Sequence, residues 1–318
     1  MTPRKRTTKA MKSFPFALYD AFSETAFGGS QAAVITDAAA IAVELRGKIA
    51  REIGMPATAF VDAIDNSGVT AQFLSAVMEL PMCGHGTICL FSHLLETGLL
   101  TLANANETSL QLRLPKTTAT VSLRRRNDGR FQVLLDIAPP KFEPPPTHTG
   151  TLLTLLGLDA DALDAALPLE TARGDFVHLV VPLTGLDAMR AVKPDFNGMV
   201  DFCNANGIET IALFCNQVED PSNRIHVRDF CPAVGVSESA AAGTTNAALS
   251  SYLLRHDLLP KTPQPIEVNA EQGLELGRPS SIQSIVTLDN GEIARLQVGG
   301  VATKVFDGQV YLQAGSDD

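Results

Sequence analysis

The chain is short of positive charge and of long apolar runs. Its 318 residues include 25 Lys and Arg against 35 Asp and Glu, which gives a formal net charge of −10 at pH 7. A surface with this excess of negative charge repels phosphate backbones, so no nucleic-acid partner is expected. No window approaches the ~20 apolar residues that a membrane-spanning helix needs, so no membrane association is predicted.

Cysteine and nucleotide-binding motifs are also scarce. Five cysteines in a chain of this length form neither a dense disulfide framework nor the paired CxxC spacing of zinc sites. Reduced thiols and a cytoplasmic location are therefore the default expectations, and no metal is predicted. The motifs GxxxxGK[ST] and GxGxxG before a helix are missing, so no cofactor is expected. The basic start "MTPRKRTTKAMK" lacks the apolar stretch of a secretory signal and is interpreted as a disordered tail over residues 1–11.

What remains is the composition of a folded protein with about two domains. Hydrophobic residues make up 45% of the chain and charged residues 19%, and the length favours two packed units. Five prolines in "APPKFEPPPTHTG" exclude a central strand or a helix interior there. The predicted division is a first domain over 12–135 with C-terminal strands from about 300–318, a linker over 136–149 and a second domain over 150–299.

Each half contains several strand patterns and one apolar helix that follows a loop of small residues. The helices "TICLFSHLLETG" and "GTTNAALSSYLLRHDLL" follow the loops "CGHGT" (83–87) and "AAGTT" (241–245), and the similarity of the two loops is a weak signal of an internal repeat. Other predictions are a helix in "AAIAVELRGKIAREIG", a hairpin around "NDG" and a helix in "TLLTLLGLDADALDAAL". A strand is predicted in "RIHVRDF", where alternation leaves either Arg228 or Asp229 exposed.

The two loops offer chemistry for a small acid. A helix N-terminus exposes unpaired N–H groups and a partial positive charge, so glycine-rich turns at this place let a carboxylate approach. The same field lowers the pKa of a thiol to roughly 3.5–7.5 when nothing apolar opposes it, so Cys83 could be a thiolate. Cys83 could equally be a small packed residue, and His85 could be a proton carrier or a structural loop histidine.

Three ordered motifs resemble one family. The segments "ELPMCGHGT" (79–87), "VRDFCPAVGVSE" (227–238) followed by "AAAGTTNAALSSYL", and "EQGLELGRPSSI" (271–282) are similar to the phenazine-biosynthesis PhzF-like family of the diaminopimelate epimerase and proline racemase superfamily. The opening "YDAFSETAFGGSQAAVI" also resembles that family's start. The resemblance implies an α+β fold of two pseudo-symmetric domains, each a curved, mostly antiparallel sheet around a central helix, with the active site between them.

The resemblance also implies site residues and marks departures from the family pattern. Ala57 stands where the family carries its catalytic glutamate, and Glu52 is not an obvious substitute. Ala242 stands at the second cysteine of the superfamily's racemases, which disfavours racemisation by two thiols. The predicted catalytic residues are Cys83, His85 and Thr244. The predicted substrate-binding residues are Ser30, Gly84, Gly86, Thr87, Ser239, Gly243 and Thr245.

Three functions remain open at this point. The first is a cofactor-independent isomerase that shifts a proton in a small carboxylic acid, with Cys83 as base. The second is a dehydratase or related lyase that uses one cysteine and a threonine. The third is a binding protein that kept the cleft and lost catalysis. Dimerisation is common in such families, so a homodimer is also an expectation, although no apolar pattern marks an interface.

Overall fold

The computed structural model describes residues 11–102, 107–146 and 149–313. Within these ranges the chain is a mixed α+β structure, as the sequence predicts, with one 18-stranded hydrogen-bonded sheet and six α-helices. The predicted tail lies outside the described residues except for Met11, which begins the first strand. No helix in the described ranges is long and apolar enough to cross a membrane.

The strands and helices have the following bounds. The strands are β1 (Met11–Ala21), β2 (Ser30–Ile35), β3 (Ala57–Asp65), β4 (Gly68–Leu74), β5 (Glu79–Leu80), β6 (Glu107–Arg113), β7 (Thr118–Arg125), β8 (Phe131–Asp136), β9 (Lys141–Glu143), β10 (Glu170–Arg173), β11 (Val177–Pro182), β12 (Thr210–Cys215), β13 (Ile225–Cys231), β14 (Val236–Ser239), β15 (Ile266–Gln272), β16 (Ser280–Asp289), β17 (Glu292–Gly300) and β18 (Ala302–Gln313). The helices are α1 (Val43–Ile53), α2 (Gly84–Glu96), α3 (Thr149–Leu156), α4 (Leu186–Ala191), α5 (Phe196–Asn206) and α6 (Gly243–Arg255).

The sheet has two halves that meet in its middle. The first half runs in the order β18-β1-β2-β3-β4-β6-β7-β8, with β5 beside β4. The second half runs in the order β17-β16-β15-β13-β12-β11-β10-β9, with β14 beside β13. Hydrogen bonds continue between β8 and β17, and β9 lies inside the predicted linker, so the division into domains stays a prediction.

The junction between the halves is the antiparallel pair β8–β17. Leu135 lies directly opposite Val298, and Leu134 lies opposite Gly299. A Cβ atom on Gly299 would overlap the carbonyl oxygen of Val133. The two strands can therefore approach this closely because residue 299 has no side chain.

One long helix lies on the inner face of each half. α2 packs against β1, β2, β3 and β8, whereas α6 packs against β11, β16 and β17. The two helices share one apolar core, to which both contribute fully buried side chains. Those side chains include Ile88, Leu90, Phe91 and Leu94 from α2 and Leu249, Tyr252 and Leu253 from α6. Because both helices are enclosed on most sides, their sequences are apolar over more than a single stripe.

Further helices cover the outer face of each half, and the sequence predicted only some of them. α1 covers the first half, as predicted, and α3, α4 and α5 cover the second. The predicted long helix in "TLLTLLGLDADALDAAL" is wrong beyond Leu156, because Gly157 adopts a left-handed backbone (φ +66°). The sequence analysis did not predict α4 and α5, which lie over this face of the second half. The side chain of Asp195 caps α5 by accepting the N–H of Gly198.

A buried histidine joins three segments of the second half. In the side chain of His226 on β13, Nδ1 lies 2.8 Å from Glu271 Oε1 and Nε2 lies 2.9 Å from Glu275 Oε1. Glu271 also accepts the backbone N–H groups of Glu219 and Asp220. Burial by itself would lower the pKa of His226, but the two carboxylates outweigh it and raise that pKa. A protonated His226 therefore ties β13, β15 and the loop around residue 220 together.

We expect the substitution His226→Gln to lower the free energy of unfolding by about 1–3 kcal/mol at pH 6, because the buried carboxylate of Glu271 and the partly exposed one of Glu275 lose a charged partner. Since folding raises the pKa of His226, its contribution is fully present below about pH 6.5 and is lost as the pH rises through the raised value. Urea denaturation should therefore show a larger difference between wild type and variant at pH 6 than at pH 9.

The matched control is His256→Gln, which removes one partly exposed polar contact, 2.8 Å long, with Glu170 and the ring contact with Tyr252. This control is expected to cost less than His226→Gln at either pH. Equal losses for His226→Gln at pH 6 and pH 9 would show that the imidazolium charge does not stabilise the fold.

Candidate functional site

The predicted thiol lies at the beginning of an inner helix. Cys83 is the N-cap residue of α2 and has an extended backbone (φ −147°, ψ 104°). Its carbonyl oxygen accepts the N–H of Thr87 at 2.9 Å and the hydroxyl of Thr87 at 2.8 Å. Because Thr87 is completely buried, its hydroxyl holds the first turn of α2 and does not face a ligand.

The second predicted loop has the same backbone geometry. Ala242 is the N-cap residue of α6 with φ −134° and ψ 110°, and α6 has 13 residues, as α2 does. Ala242 therefore occupies the place in the second half that Cys83 occupies in the first. The structure thus supports the alignment of the two loops, and this second helix begins without a thiol.

Both helix N-termini lie over the same part of the sheet. A Cβ atom on Gly84 would lie 3.9 Å from Leu135 Cδ1, and one on Gly243 would lie 3.4 Å from Val298 Cγ1. Leu135 and Val298 are direct cross-strand partners, so their side chains point to one face and their Cβ atoms are about 5 Å apart. The pairing of β8 with β17 therefore brings Gly84 and Gly243 together over one short stretch of the sheet.

Cys83 and His85 form a close pair of uncharged groups. The Sγ atom of Cys83 lies 3.6 Å from both ring nitrogens of His85. Burial raises the pKa of Cys83 to about 12, and a contact with the N–H of Gly86 opposes this shift only in part. Burial also lowers the pKa of His85, which keeps part of its surface exposed. Of the two alternatives for Cys83, the structure favours a packed, protonated thiol over a thiolate, because desolvation of the ion outweighs the field at the helix end.

Hydrogen bonds from β15 fix the loop before α6. Gln272 Nε2 donates to the carbonyl oxygen of Ser239 at 2.8 Å. Asn246 Nδ2 donates to Gln272 Oε1 and to the carbonyl oxygen of Ala242, both at 2.9 Å. The hydroxyl of Ser239 donates to the carbonyl oxygen of Ala241 at 3.3 Å. The Ser239 side chain is thus engaged within its own loop.

A buried carboxyl group lies behind the first turn of α6. Asp229 Oδ2 accepts the hydroxyl of Thr245 at 2.9 Å, whereas Oδ1 has no hydrogen-bond partner within the described residues. Burial raises the pKa of Asp229 to about 6, and Glu238 adds to the shift, while the hydroxyls of Thr245 and Thr210 oppose it. Thr245 is fully buried, so this predicted binding residue holds Asp229 in place.

The expectation that either Arg228 or Asp229 is exposed is wrong. The exposed fractions of the two residues are 7% and 2%. β13 has cover on both faces, because α6 lies against the Asp229 side and α4 against the Arg228 side. Arg228 donates to the carbonyl oxygen of Met189 at 3.2 Å and forms two contacts of 2.8 and 2.9 Å with the carboxylate of Glu238.

Ser30 directly follows a loop that a residue of the second half holds in place. Ser30 begins β2 opposite Ala21 and is partly exposed. Arg278 Nε donates to the carbonyl oxygen of Gly29 at 2.9 Å, and its Nη2 lies 2.8 Å from the buried carboxylate of Asp20. This contact between the halves was not predicted. Within the described residues, no hydrogen bond joins Ser30 to Cys83.

The structure offers no carboxylate at the position where the resemblance places a catalytic glutamate. Ala57 is fully buried at the beginning of β3 and pairs with Ala32. Glu52 is exposed on α1, so its side chain does not replace a group at position 57. In the described part of the chain, no cluster of three or more His, Cys, Asp or Glu side chains is arranged to hold a metal ion.

Thr244 lines a small pocket together with two other polar residues, Asp175 and His178, neither of which was predicted. Its apolar lining includes Ile137, Phe176 and Ala248. His178 Nδ1 lies 2.7 Å from Thr210 Oγ1. The signal in the sequence was a single histidine within the otherwise apolar strand "FVHLVVPL".

Known proteins resemble this chain over nearly its whole length. The family model for phenazine biosynthesis-like proteins (PhzC-PhzF) matches residues 19–308. An uncharacterized isomerase, YddE, from Escherichia coli K12 is 28% identical over 298 residues, which cover 92% of this chain and 97% of the relative. Trans-2,3-dihydro-3-hydroxyanthranilate isomerase from Pseudomonas fluorescens is 28% identical over 304 residues, covering 93% and 99%.

A solved structure agrees with the architecture. The PhzF-family phenazine biosynthesis protein of Bacillus anthracis superposes with a TM-score of 0.84 at 23% identity, covering 95% of this chain and all of that one. The predicted fold of two similar halves around inner helices is confirmed by this match. With a family match over residues 19–308 and relatives named as isomerases, the chain belongs to the PhzC-PhzF family of phenazine biosynthesis-like proteins, and its general enzymatic class is that of an isomerase.

Proposed function

We propose that this isomerase moves a proton within a small carboxylic acid that binds between the N-termini of α2 and α6. The observation that carries the proposal is the pair of Cys83 and His85, 3.6 Å apart, at the N-terminus of a buried helix. A proton donor and a proton acceptor are thus side by side where backbone N–H groups are free to bind an anion.

The two helix N-termini supply the binding site for the acid. Gly84 and Gly243 are the first residues of α2 and α6, and neither places a side chain between the helix end and a ligand. N–H groups at both ends favour a negative charge over the Leu135 and Val298 pair. The same groups stabilise the enolate that forms when a proton leaves the carbon next to a carboxylate.

The resting protonation states define the direction of proton transfer. At neutral pH the thiol of Cys83 holds its proton, and the imidazole of His85 is neutral. His85 accepts the proton that leaves one carbon of the ligand, and Cys83 delivers a proton to another carbon. Return of the proton from the imidazolium to the thiolate restores both groups, so the step is an isomerisation without net redox change.

The absence of a second thiol favours a proton shift over racemisation. Two-thiol racemases need one sulfur on each face of the stereocentre, and Ala242 provides none at α6. Unsaturated cyclic acids are therefore the ligands that we propose to test first. Trans-2,3-dihydro-3-hydroxyanthranilate, which names the isomerase of Pseudomonas fluorescens, belongs to this class and serves as the first probe.

We expect Cys83→Ser to reduce turnover of this probe by about 10²–10⁴-fold, because a hydroxyl is a much poorer proton donor to carbon than a thiol. The measurement is deuterium incorporation into the probe in D₂O, followed by proton NMR. Cys89→Ala is the matched control, because Cys89 is fully buried within α2 and its thiol donates to the carbonyl oxygen of Tyr19 at 3.7 Å. Unchanged incorporation in Cys83→Ser would refute the role, and release of water from the probe would identify a lyase.

Gly86 gives a second test of the same pair. A Cβ atom at this position would lie 2.9 Å from Cys83 Sγ and 3.0 Å from Phe73 Cε1. We expect Gly86→Ala to displace the thiol from His85, to reduce deuterium incorporation at least tenfold and to lower the free energy of unfolding by about 1–3 kcal/mol. Phe73 is fully buried, so its ring has little room to move.

The matched control for Gly86→Ala is Gly47→Ala in α1. Gly47 has no atom within 4 Å of the added Cβ, so the higher helix propensity of alanine should stabilise the protein by about 0.5–1 kcal/mol. Thermal and urea denaturation measure both variants. If Gly86→Ala behaved like Gly47→Ala and kept full turnover, the thiol would not need its observed position.

A further inference from the structure

Three polar side chains interrupt the apolar inner face of the second half. His178 on β11, Thr210 on β12 and Asp229 on β13 project from neighbouring strands. His178 pairs directly with Thr210, and Asp229 pairs with Ala212, two residues along from Thr210 and on the same face. Their same-face neighbours belong to the core around α6 and are Val180, Phe214 and Val227.

Asp229 differs from the other fully buried carboxylates in the described ranges because it has no cation. Asp20 pairs with Arg278 at 2.8 Å, and Glu271 lies 2.8 Å from His226. Asp229 Oδ2 accepts the hydroxyl of Thr245, Oδ1 has no hydrogen-bond partner within the described residues, and the Thr210 hydroxyl lies near enough to lower the pKa of the carboxyl group. An unpaired buried carboxylate costs free energy that a purely structural position would avoid, and such groups are concentrated at functional sites.

His178 connects this carboxyl group with the pocket that Thr244 lines. Nδ1 of His178 contacts Thr210 at 2.7 Å, which leaves Nε2 as the nitrogen available to a ligand. Burial lowers the pKa of His178 to about 4, so the ring is neutral at pH 7. A neutral imidazole is a base at Nε2 only when its single ring proton is on Nδ1.

The orientation of the Thr210 hydroxyl selects the tautomer. If Thr210 donates to Nδ1, the single ring proton of His178 is on Nε2. Nε2 then cannot accept a proton from a ligand. If Thr210 turns its hydroxyl towards Asp229 Oδ1, Nδ1–H donates to the Thr210 oxygen and Nε2 is free. An ionised Asp229 favours the second arrangement, because its unpaired oxygen then gains a hydrogen bond.

We infer that Asp229, Thr210 and His178 form an acid–base relay at the N-terminus of α6, where Ala242 supplies no thiol, with Nε2 of His178 as the base. This inference rests on the proposed function and adds a second proton acceptor to that site. His178 is the catalytic residue of the relay, and Asp229 and Thr210 are positioning residues.

The relay balances without any co-reactant. Nε2 accepts the proton from a carbon of the ligand, and the electrons of the broken C–H bond enter the enolate. The imidazolium donates from Nδ1 to Thr210, whose hydroxyl donates to the carboxylate of Asp229, as in other histidine–carboxylate pairs. Return of the proton to a different carbon forms the new C–H bond with the same electron pair.

The ring proton of His178 is observable directly. Nitrogen-15 NMR of histidine-labelled protein at pH 7.5 distinguishes the two tautomers, and His178→Gln assigns the signal by its loss. We expect the Nδ1–H tautomer in the wild type and the Nε2–H tautomer in Asp229→Asn and Thr210→Val. Thr210→Ser keeps the hydroxyl and should keep the Nδ1–H tautomer. The other acidic groups around the relay are Glu238, which is paired with Arg228, and Asp175, which lines the same pocket as His178.

Deuterium incorporation into trans-2,3-dihydro-3-hydroxyanthranilate gives the second readout. His178→Gln is expected to reduce it by about 10²–10⁴-fold and Asp229→Asn by at least tenfold. Asp187→Asn, a change at a fully exposed carboxylate on the outer helix α4, is the control for charge alone. Circular dichroism establishes whether each variant is folded. If Asp229→Asn does not fold, Thr210→Val provides the test of the relay instead.

The two readouts separate the inference from the function on which it rests. An Nε2–H tautomer in the wild type, or an Nδ1–H tautomer that persists in Asp229→Asn, would overturn the relay whatever the activity. Full incorporation by His178→Gln would overturn it as well. Absence of incorporation in the wild type, with the expected tautomers, would instead contradict the proposed function and leave the relay as a property of the pocket.

Discussion

The antiparallel pairing of β8 with β17 is the contact on which the geometry of the site depends. It joins two half-sheets into one and places Leu135 beside Val298. Because an inner helix begins over each of these side chains, a single pair of strands determines the spacing of two helix N-termini. Gly299 makes the approach of the strands sterically possible. The fold and the geometry of the site therefore depend on the same contact, because separation of the two strands would move Cys83 away from the groups at α6.

Burial of the inner helices also determines the electrostatics of the site. A helix N-terminus on a surface would lower the pKa of a thiol, but α2 begins within the core, and the cost of a buried anion is larger than the benefit of the helix field. The consequence is a site whose thiol and imidazole groups are uncharged at rest. Neutral groups do not repel an approaching carboxylate, and the free N–H groups attract it. The binding of an acid and the storage of a proton on Cys83 are thus compatible.

The sequence predicted those elements whose signal is local. The hairpin around "NDG", the helices that follow "CGHGT" and "AAGTT" and the equivalence of Cys83 with Ala242 all depend on short spacings, and the structure contains them. The sequence did not predict features that depend on which elements pack against a strand. Arg228 and Asp229 are both buried because helices lie on both faces of β13, and alternation along one strand contains no information about the opposite layer. The raised pKa of Cys83 has the same origin, since burial is a property of the assembled sheet.

The two halves share a backbone and differ in chemistry, and this difference constrains the reaction. Cys83 and Ala242 occupy equivalent N-cap positions with nearly equal backbone angles. A symmetric pair of thiols would exchange one proton across a stereocentre and invert it. A ligand bound as proposed would have a thiol and an imidazole on its α2 side and oxygen and nitrogen groups on its α6 side, which are donors and acceptors of different strength. In the proposed function, this asymmetry favours the return of the proton to a different carbon, as in an isomerase that shifts a double bond.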